Sequence, residues 1–223
     1  SFIETVDTSS TASAAKKKQD GSYFDTFFSY GLIYDKRNQI FQPTDGFKSS
    51  FSQSLPIMSD DNAIIHSYDF NTYQEFSKSM VGSIGFSTKA VNSLSGDDVR
   101  VSKRVYIPNS KLRGFTAGRV GPKEDGAYIG GNYYTTLNFA TTIPSLLKDF
   151  QDTDFKIFYD VANIWGVDYS SAIDDSNNIR SSVGVSVDWY TVIGPLNFSL
   201  SQPITKKSTD ETETFRFQLG TSF

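Results

Sequence analysis

Residues 213–223, ETFRFQLGTSF, alternate in polarity along the chain. Successive side chains of a β-strand point to opposite faces, so this alternation predicts a strand with one apolar and one polar face. The apolar face carries Phe215, Phe217, Leu219 and Phe223, and the polar face carries Arg216, Gln218, Gly220 and Ser222.

Eight further segments show the same period of two, and no part of the chain has a convincing helical period. The additional predicted strands are residues 22–34, 47–55, 64–76, 80–90, 132–143, 155–165, 180–193 and 196–203. Residues 1–21 are polar and are predicted to form a loop. Short connections, such as a predicted turn at 43–46, alternate with long ones, such as 91–131. This pattern is typical of an outer-membrane β-barrel.

Hydropathy is compatible with two all-β architectures. Mean hydropathy is −0.34, and no run reaches the roughly 18 apolar residues of a membrane helix, which excludes a helical membrane protein. A barrel strand needs only about 9 to 11 residues with alternate ones apolar. A soluble β-sandwich or lipocalin-like barrel shows the same alternation but turns its aromatic face inward. The Ser, Gly and Asn residues of the polar face suit a wet lumen and favour the membrane barrel.

Charge and residue content exclude several classes of function. The 21 basic and 25 acidic residues give a net charge of −4, which argues against binding to nucleic acid. The chain has no cysteine and one histidine, His66, so thiolate chemistry, catalytic triads and histidine metal sites are not expected. His66 shares the parity of Tyr68 and Phe70 and is predicted to face lipid. The acidic stretch 174–178 lacks the spacing of a dedicated calcium loop. We therefore expect no enzyme, no metal and no cofactor.

A sequence motif lies inside the long polar segment 91–131. Residues 112–115, LRGF, are followed by a Gly-Pro pair at 121–122 and by GGN at 130–132. This pattern closely resembles the Val-Arg-Gly-Phe motif of loop six in the BamA family, the outer-membrane protein assembly factors of the bacterial surface antigen family. Further stretches resemble that family in order: FQPTDG at 41–46, FYDVANIW at 158–165, GPLNFSLSQP at 194–203 and the terminal FRFQLGTSF.

The resemblance implies a fold for residues 22–223. They would form the C-terminal part of a transmembrane antiparallel β-barrel, about nine strands corresponding roughly to strands 8 to 16 of sixteen. Residues 91–131 would be loop six, and residues 1–21 a polar extracellular loop. The first barrel strands and the periplasmic POTRA repeats would belong to a longer protein. Unpaired strand edges are not tolerated in lipid, so missing strands or a partner chain must close the sheet.

The resemblance also implies the roles of particular residues. Within the motif Leu112, Arg113, Gly114 and Phe115, the arginine would reach into the lumen and pair with Asp160. A family glutamate aligns with Asn138, so one acidic partner is replaced by a neutral amide, which is expected to weaken the site. Gly220 would be the hinge that loosens the last strand into a lateral gate. The aromatic residues Phe215, Phe217 and Phe223 would form the C-terminal signal of outer-membrane proteins.

The implied function is the folding and insertion of β-barrel proteins into the outer membrane of a Gram-negative bacterium. A lateral gate would template incoming strands. The expected partners are nascent outer-membrane proteins, assembly-machine lipoproteins and outer-membrane lipids. The alternatives are a TamA-like or two-partner secretion translocator and a passive porin-like channel. A porin would leave an open lumen, with residues 91–131 folded outward.

Overall fold

The computed structural model describes residues 1–60, 62–77, 80–143, 153–191 and 194–219. The strands, in chain order, are β1 (Phe2–Val6), β2 (Gly21–Asp35), β3 (Asp45–Ser59), β4 (Ala63–Ser77), β5 (Met80–Ser93), β6 (Lys123–Glu124), β7 (Ala127–Tyr128), β8 (Tyr133–Ile143), β9 (Thr153–Trp165), β10 (Arg180–Thr191), β11 (Gly194–Thr205) and β12 (Phe215–Leu219). One helical turn, α1 (Ala14–Lys17), and a 3-10 turn, Val101–Lys103, complete these elements. No helix in the described ranges is long and apolar enough to cross a membrane.

Ten of the strands form one antiparallel sheet in the order β1-β2-β3-β4-β5-β8-β9-β10-β11-β12. The pair β6 and β7 is a separate small hairpin inside the segment that joins β5 to β8. Among the described residues β12 pairs only with β11, and β1 pairs only with residues 21–25 of β2. Within the described strands the sheet therefore has two open edges, as expected for part of a barrel. The prediction of an all-β antiparallel barrel portion is confirmed.

Polar and apolar side chains are distributed in the opposite way to a soluble protein. On the outer face, Leu200 and Phe217 are 53% and 52% exposed. On the inner face, Asp160 and Ser182 are completely buried. Apolar residues outside and small or polar residues inside are the arrangement of a barrel wall between lipid and lumen. A soluble sandwich would need the aromatic face inside, and the structure excludes that alternative.

The sheet curves around the segment that joins β5 to β8, residues 94–132, which we call the long loop. Side chains or backbone of this loop contact Asp25 in β2, Asp160 in β9 and Arg216 in β12. Its apolar residues pack against the inner face of the strands near their ends. This cluster comprises Ala63, Val91, Val99, Val105, Ile107, Leu112, Phe115, Val120, Tyr134, Ala162 and Ile164. The long loop therefore fills the concave side of the sheet.

Three local predictions are wrong. Residues 1–21 are not a loop throughout, because residues 2–6 form β1 on the edge of β2. The second predicted strand, 47–55, is too short, because β3 continues through Pro56 to Ser59; the proline is tolerated beside a register shift, where it pairs with Phe27. The predicted tight turn at 43–46 is a longer connection, residues 36–44, and Gly46 already belongs to β3. Gly46 has φ +93°, and a Cβ there would lie 2.2 Å from the carbonyl oxygen of Lys36.

Candidate functional site in the long loop

An ion pair between Arg113 and Asp160 attaches the long loop to the wall of the sheet. Arg113 Nε donates to Asp160 Oδ2 at 2.8 Å, and Arg113 Nη2 donates to Oδ1 at 2.8 Å. The backbone N–H of Arg113 donates to Oδ2 at 3.1 Å. Asp160 is completely buried, and 14% of the Arg113 side chain is exposed. This two-point geometry is the strong form of an arginine–carboxylate pair.

Asn138 and Phe158 complete the surroundings of this pair. Asn138 Nδ2 donates to Asp160 Oδ1 at 2.8 Å and to the carbonyl oxygen of Lys111 at 2.8 Å. An ionised glutamate at this position could only accept hydrogen bonds and would repel Asp160. The amide removes one negative charge from the site and adds a donor to the carboxylate. The Arg113 guanidinium carbon also lies 3.4 Å from the ring centroid of Phe158, a cation–π contact.

The neighbours of Arg113 in the motif seat the loop against the wall. Gly114 has φ +88°, and a Cβ there would lie 3.1 Å from the Cβ of Ser201 and 3.3 Å from that of Ser182. Glycine permits both the left-handed backbone and this close approach. Leu112 and Phe115 are buried in the apolar cluster of the loop. All four residues of the motif thus lie where the long loop contacts the inner face of the sheet.

A second charged anchor holds the beginning of the long loop to β2. Asp25 is completely buried and accepts hydrogen bonds from Arg100 Nη2 and, at 2.9 Å, from Lys103 Nζ. Arg100 Nη1 also donates to Glu4 Oε2 in β1 at 3.3 Å. The alternation of β2 places Asp25 on its polar face. No sequence pattern predicts that Asp25 pairs with Arg100 and Lys103, which lie 75 or more positions away. Sequence reasoning therefore missed this anchor.

A third charged group joins the other loops at the same end of the sheet. Arg180 is completely buried and donates to Asp175 in the β9–β10 connection and, through Nε at 2.9 Å, to Asp210 in the β11–β12 connection. The backbone N–H of Gly121 in the long loop donates to Asp210 Oδ1 at 3.4 Å. Asp174, in the acidic stretch, accepts from the backbone N–H groups of residues 166 and 167. In the described parts of the chain no group of His, Asp or Glu is arranged to hold a metal ion.

A phenol links the small hairpin of the long loop to the β9–β10 connection. Tyr169 Oη donates to Glu124 Oε2 at 2.8 Å, and Arg104 lies 5.1 Å from the Tyr169 ring centroid. Burial, together with this hydrogen bond to a carboxylate, raises the pKa of Tyr169 to about 12. Tyr169 therefore remains a neutral hydrogen-bond donor at physiological pH.

Those of the other predicted residues that the structure describes lie in β12 and on the outer face. Phe215 and Phe217 point outward from β12 and are exposed. Gly220 and Phe223 lie outside the described residues. His66 Nδ1 is 2.9 Å from Gln53 Nε2 of the neighbouring strand, remote from the Arg113–Asp160 pair in the sheet.

Residues 2–223 match the family model of the Omp85 superfamily domain. The chain belongs to the Omp85 superfamily. Among Omp85 relatives, the outer membrane protein assembly factor BamA of Neorickettsia risticii is 26% identical over 229 residues, which cover all of this chain. BamA of Neisseria meningitidis serogroup B is 31% identical over 139 residues, which cover 50% of it.

A solved structure shows the same Omp85 architecture. The crystal structure of BamA from Haemophilus ducreyi lacking POTRA domains 1–3 superimposes with a TM-score of 0.81 and 25% identity over 88% of this chain. The chain spans 31% and 17% of the lengths of the two curated relatives and 42% of the solved chain. It therefore corresponds to part of a longer Omp85 architecture.

Proposed function

We propose that this chain is the C-terminal part of the barrel of an outer-membrane protein assembly factor. In this role it helps to fold and insert β-barrel proteins in the outer membrane of a Gram-negative bacterium. The names of its relatives and its membership of the Omp85 superfamily support this function. The observation that carries the proposal is the long loop held inside the curved sheet by Arg113 and Asp160, the contact that the LRGF motif implied.

The proposed mechanism uses the open edge of β12. An exposed strand edge presents unpaired backbone groups, so an incoming strand can add to it by β-augmentation. Gly220, beyond the described part of β12, is proposed as the hinge that lets this strand bend, since glycine weakens a strand. The chemistry consists of hydrogen bonding and strand exchange, with no covalent step, nucleotide or cofactor.

The proposed partners follow from the surfaces of the sheet. Nascent outer-membrane proteins would meet the β12 edge, and lipid would cover the apolar outer face. Missing N-terminal barrel strands would pair with the opposite edge, where residues 26–35 of β2 have no second neighbour among the described strands. POTRA domains and assembly-machine lipoproteins are proposed from the resemblance to the BamA family alone. No role for nucleic acid is proposed.

The fold of the long loop separates assembly from the porin alternative. A porin-like pore requires an open lumen, whereas this loop packs its apolar residues against the inner face of β4, β5, β8 and β9. A TamA-like or two-partner secretion translocator would share the fold, but the relatives reported above are named assembly factors. These observations favour assembly over both alternatives.

Reconstitution of the full-length protein in liposomes tests the proposal. A urea-unfolded outer-membrane protein is added, and its folding is followed by resistance to protease and by heat-modifiable gel mobility. We expect folding to be faster with the full-length protein than with empty liposomes or with liposomes that contain an unrelated porin. Equal rates would contradict the proposal, and constitutive ion conduction without faster folding would establish the porin alternative.

A further inference from the structure

Arg216 is the first inward-facing residue of the described part of β12. It is only 8% exposed although it lies on an edge strand. Its three side-chain nitrogen atoms each have an acceptor: Nε donates to Glu213 Oε1, Nη1 to the carbonyl oxygen of Asn109, and Nη2 to the carbonyl oxygen of Phe115. The two carbonyl groups lie on either side of Arg113 in the sequence. The guanidinium therefore binds the loop backbone on both sides of Arg113.

Backbone hydrogen bonds extend the same contact along the segment that leads into β12. The N–H of Glu213 donates to the carbonyl of Gly114 at 3.1 Å, and the N–H of Thr116 donates to the carbonyl of Glu211 at 2.9 Å. An isolated bridge between Phe115 and Thr212 lies between these two bonds. The loop and the approach to the last strand thus form a short antiparallel pair.

These contacts make the last strand dependent on the long loop. The ladder between β12 and β11 covers only residues 215–219 in the described chain. On the loop side, Arg216 holds the strand itself, and the backbone pair holds the segment that leads into it. The loop in turn is fixed to β9 by the Arg113–Asp160 pair. If β12 moves into or out of the lumen, either its contacts with the residues that flank Arg113 must break, or that part of the loop must move with the strand.

We propose that Arg216 is a positioning residue that couples the edge strand β12 to the Arg113 motif. The inference rests on the proposed function, because it gives the templating edge a fixed position relative to the loop. A guanidinium suits this role because its planar set of donors can serve two carbonyl groups and a carboxylate at once. Lysine keeps the charge but has no planar array, and glutamine lacks the charge.

The first test measures loop opening, with no client present. In the full-length protein in liposomes, Val120→Cys places one thiol at a buried position of the long loop, in a chain that has no other cysteine in these 223 residues. Arg216→Gln should increase its rate of maleimide labelling roughly tenfold, because two buried carbonyl groups lose a charged donor. Arg216→Lys should give an intermediate rate. Gln218→Ala, the next inward-facing position of β12, is the matched control and should leave the rate unchanged.

The second test separates coupling from general destabilisation. If Arg216 and Arg113 act through the same loop, the double variant Arg113→Ala/Arg216→Gln should label no faster than Arg113→Ala alone. Additive rates, or no response to Arg216→Gln, would overturn the coupling. Arg216→Lys keeps the test informative should the glutamine variant fail to assemble, because its labelling rate must then exceed that of the parent protein.

The third measurement relates the coupling to assembly. Client folding should slow in the Arg216→Gln and Arg216→Lys proteins in the order of their labelling rates, and remain normal for Gln218→Ala. Faster labelling with normal client folding would show that the contact is structural only and would overturn its role in assembly. Failure of the proposed function itself would be distinguishable, because the parent protein would then not accelerate client folding at all.

Discussion

Replacement of Arg113 by alanine should release the long loop, and the structure allows the size of the effect to be worked out. The substitution removes two charged donors from the buried Asp160 carboxylate and leaves it with the N–H of residue 113 and Asn138 Nδ2. Breaking a buried ion pair by removing one partner costs about 3 to 5 kcal/mol. Because the Arg113 side chain is partly exposed, the lower end, about 3 kcal/mol, applies.

This free energy should appear as more frequent opening of the long loop. About 1.4 kcal/mol corresponds to a factor of ten, so the open population should rise roughly 100-fold. Maleimide labelling of Val120→Cys in the full-length protein in liposomes measures this population, provided that the loop closes faster than the reagent reacts. Client folding should slow in the same protein, because the wall contact that positions the motif is lost.

Lys123→Ala is the matched control in the same loop. Lys123 lies in the β6–β7 hairpin with its ammonium nitrogen 4.6 Å from the Tyr128 ring centroid, so its loss should change labelling roughly threefold or less. The double variant Arg113→Ala/Asp160→Ala should label more slowly than Arg113→Ala, because the unpaired buried charge is gone. Equal labelling of the Arg113→Ala and Lys123→Ala proteins would refute the anchoring argument.

Three other predictions concern the second anchor, the last strand and the orientation in the membrane. Asp25→Asn should speed trypsin cleavage in the first part of the long loop, because two loop cations lose their buried carboxylate, whereas the exposed Asp97→Asn should not; equal cleavage would contradict this. Gly220→Val should stabilise the barrel, as measured by thermal unfolding, yet slow client folding in the liposome assay. Normal client folding in a barrel whose last strand is fully paired with the first strand would exclude the hinge. A cysteine at Ser176 should react with an impermeant maleimide on intact cells and one at Thr44 should not, and the reverse result would invert the proposed topology.

The strands were largely predictable because their signal is local. In β12 the outward Phe215 and Phe217 and the inward Arg216 follow directly from the period of two. The same rule failed where pairing partners decide the structure. Residues 2–6, FIETV, are a short run inside the mostly polar segment 1–21, yet they pair with the edge of β2. Pro56 remains in β3 because a register shift accommodates it. The local alternation of polar and apolar residues predicts neither the edge pairing nor the register shift.

The site was predictable only as far as the resemblance to a known motif extended. That resemblance pointed to Arg113, Asp160 and Asn138, and the structure brings these three side chains together. It also led to the expectation that Asn138 weakens the site. The structure shows the amide donating to Asp160, and the expected weakening stays a prediction. The contacts of Asp25 and Arg216 join residues about 75 to 107 positions apart. Such pairs depend on sheet curvature, which no short stretch of sequence encodes.

The inverted distribution of polarity between the two faces has a consequence for how this chain tolerates change. Lipid is a fluid solvent without fixed shape, so an outward position such as Phe217 requires a hydrophobic side chain but no particular shape. Leucine should be tolerated there nearly as well as phenylalanine. The inward positions are constrained in size, because the long loop packs directly against them. A larger side chain at Ala162 or Ser182 would displace the loop. We therefore expect substitutions at outward positions to exchange one apolar residue for another, and substitutions at inward positions to keep the size of the side chain.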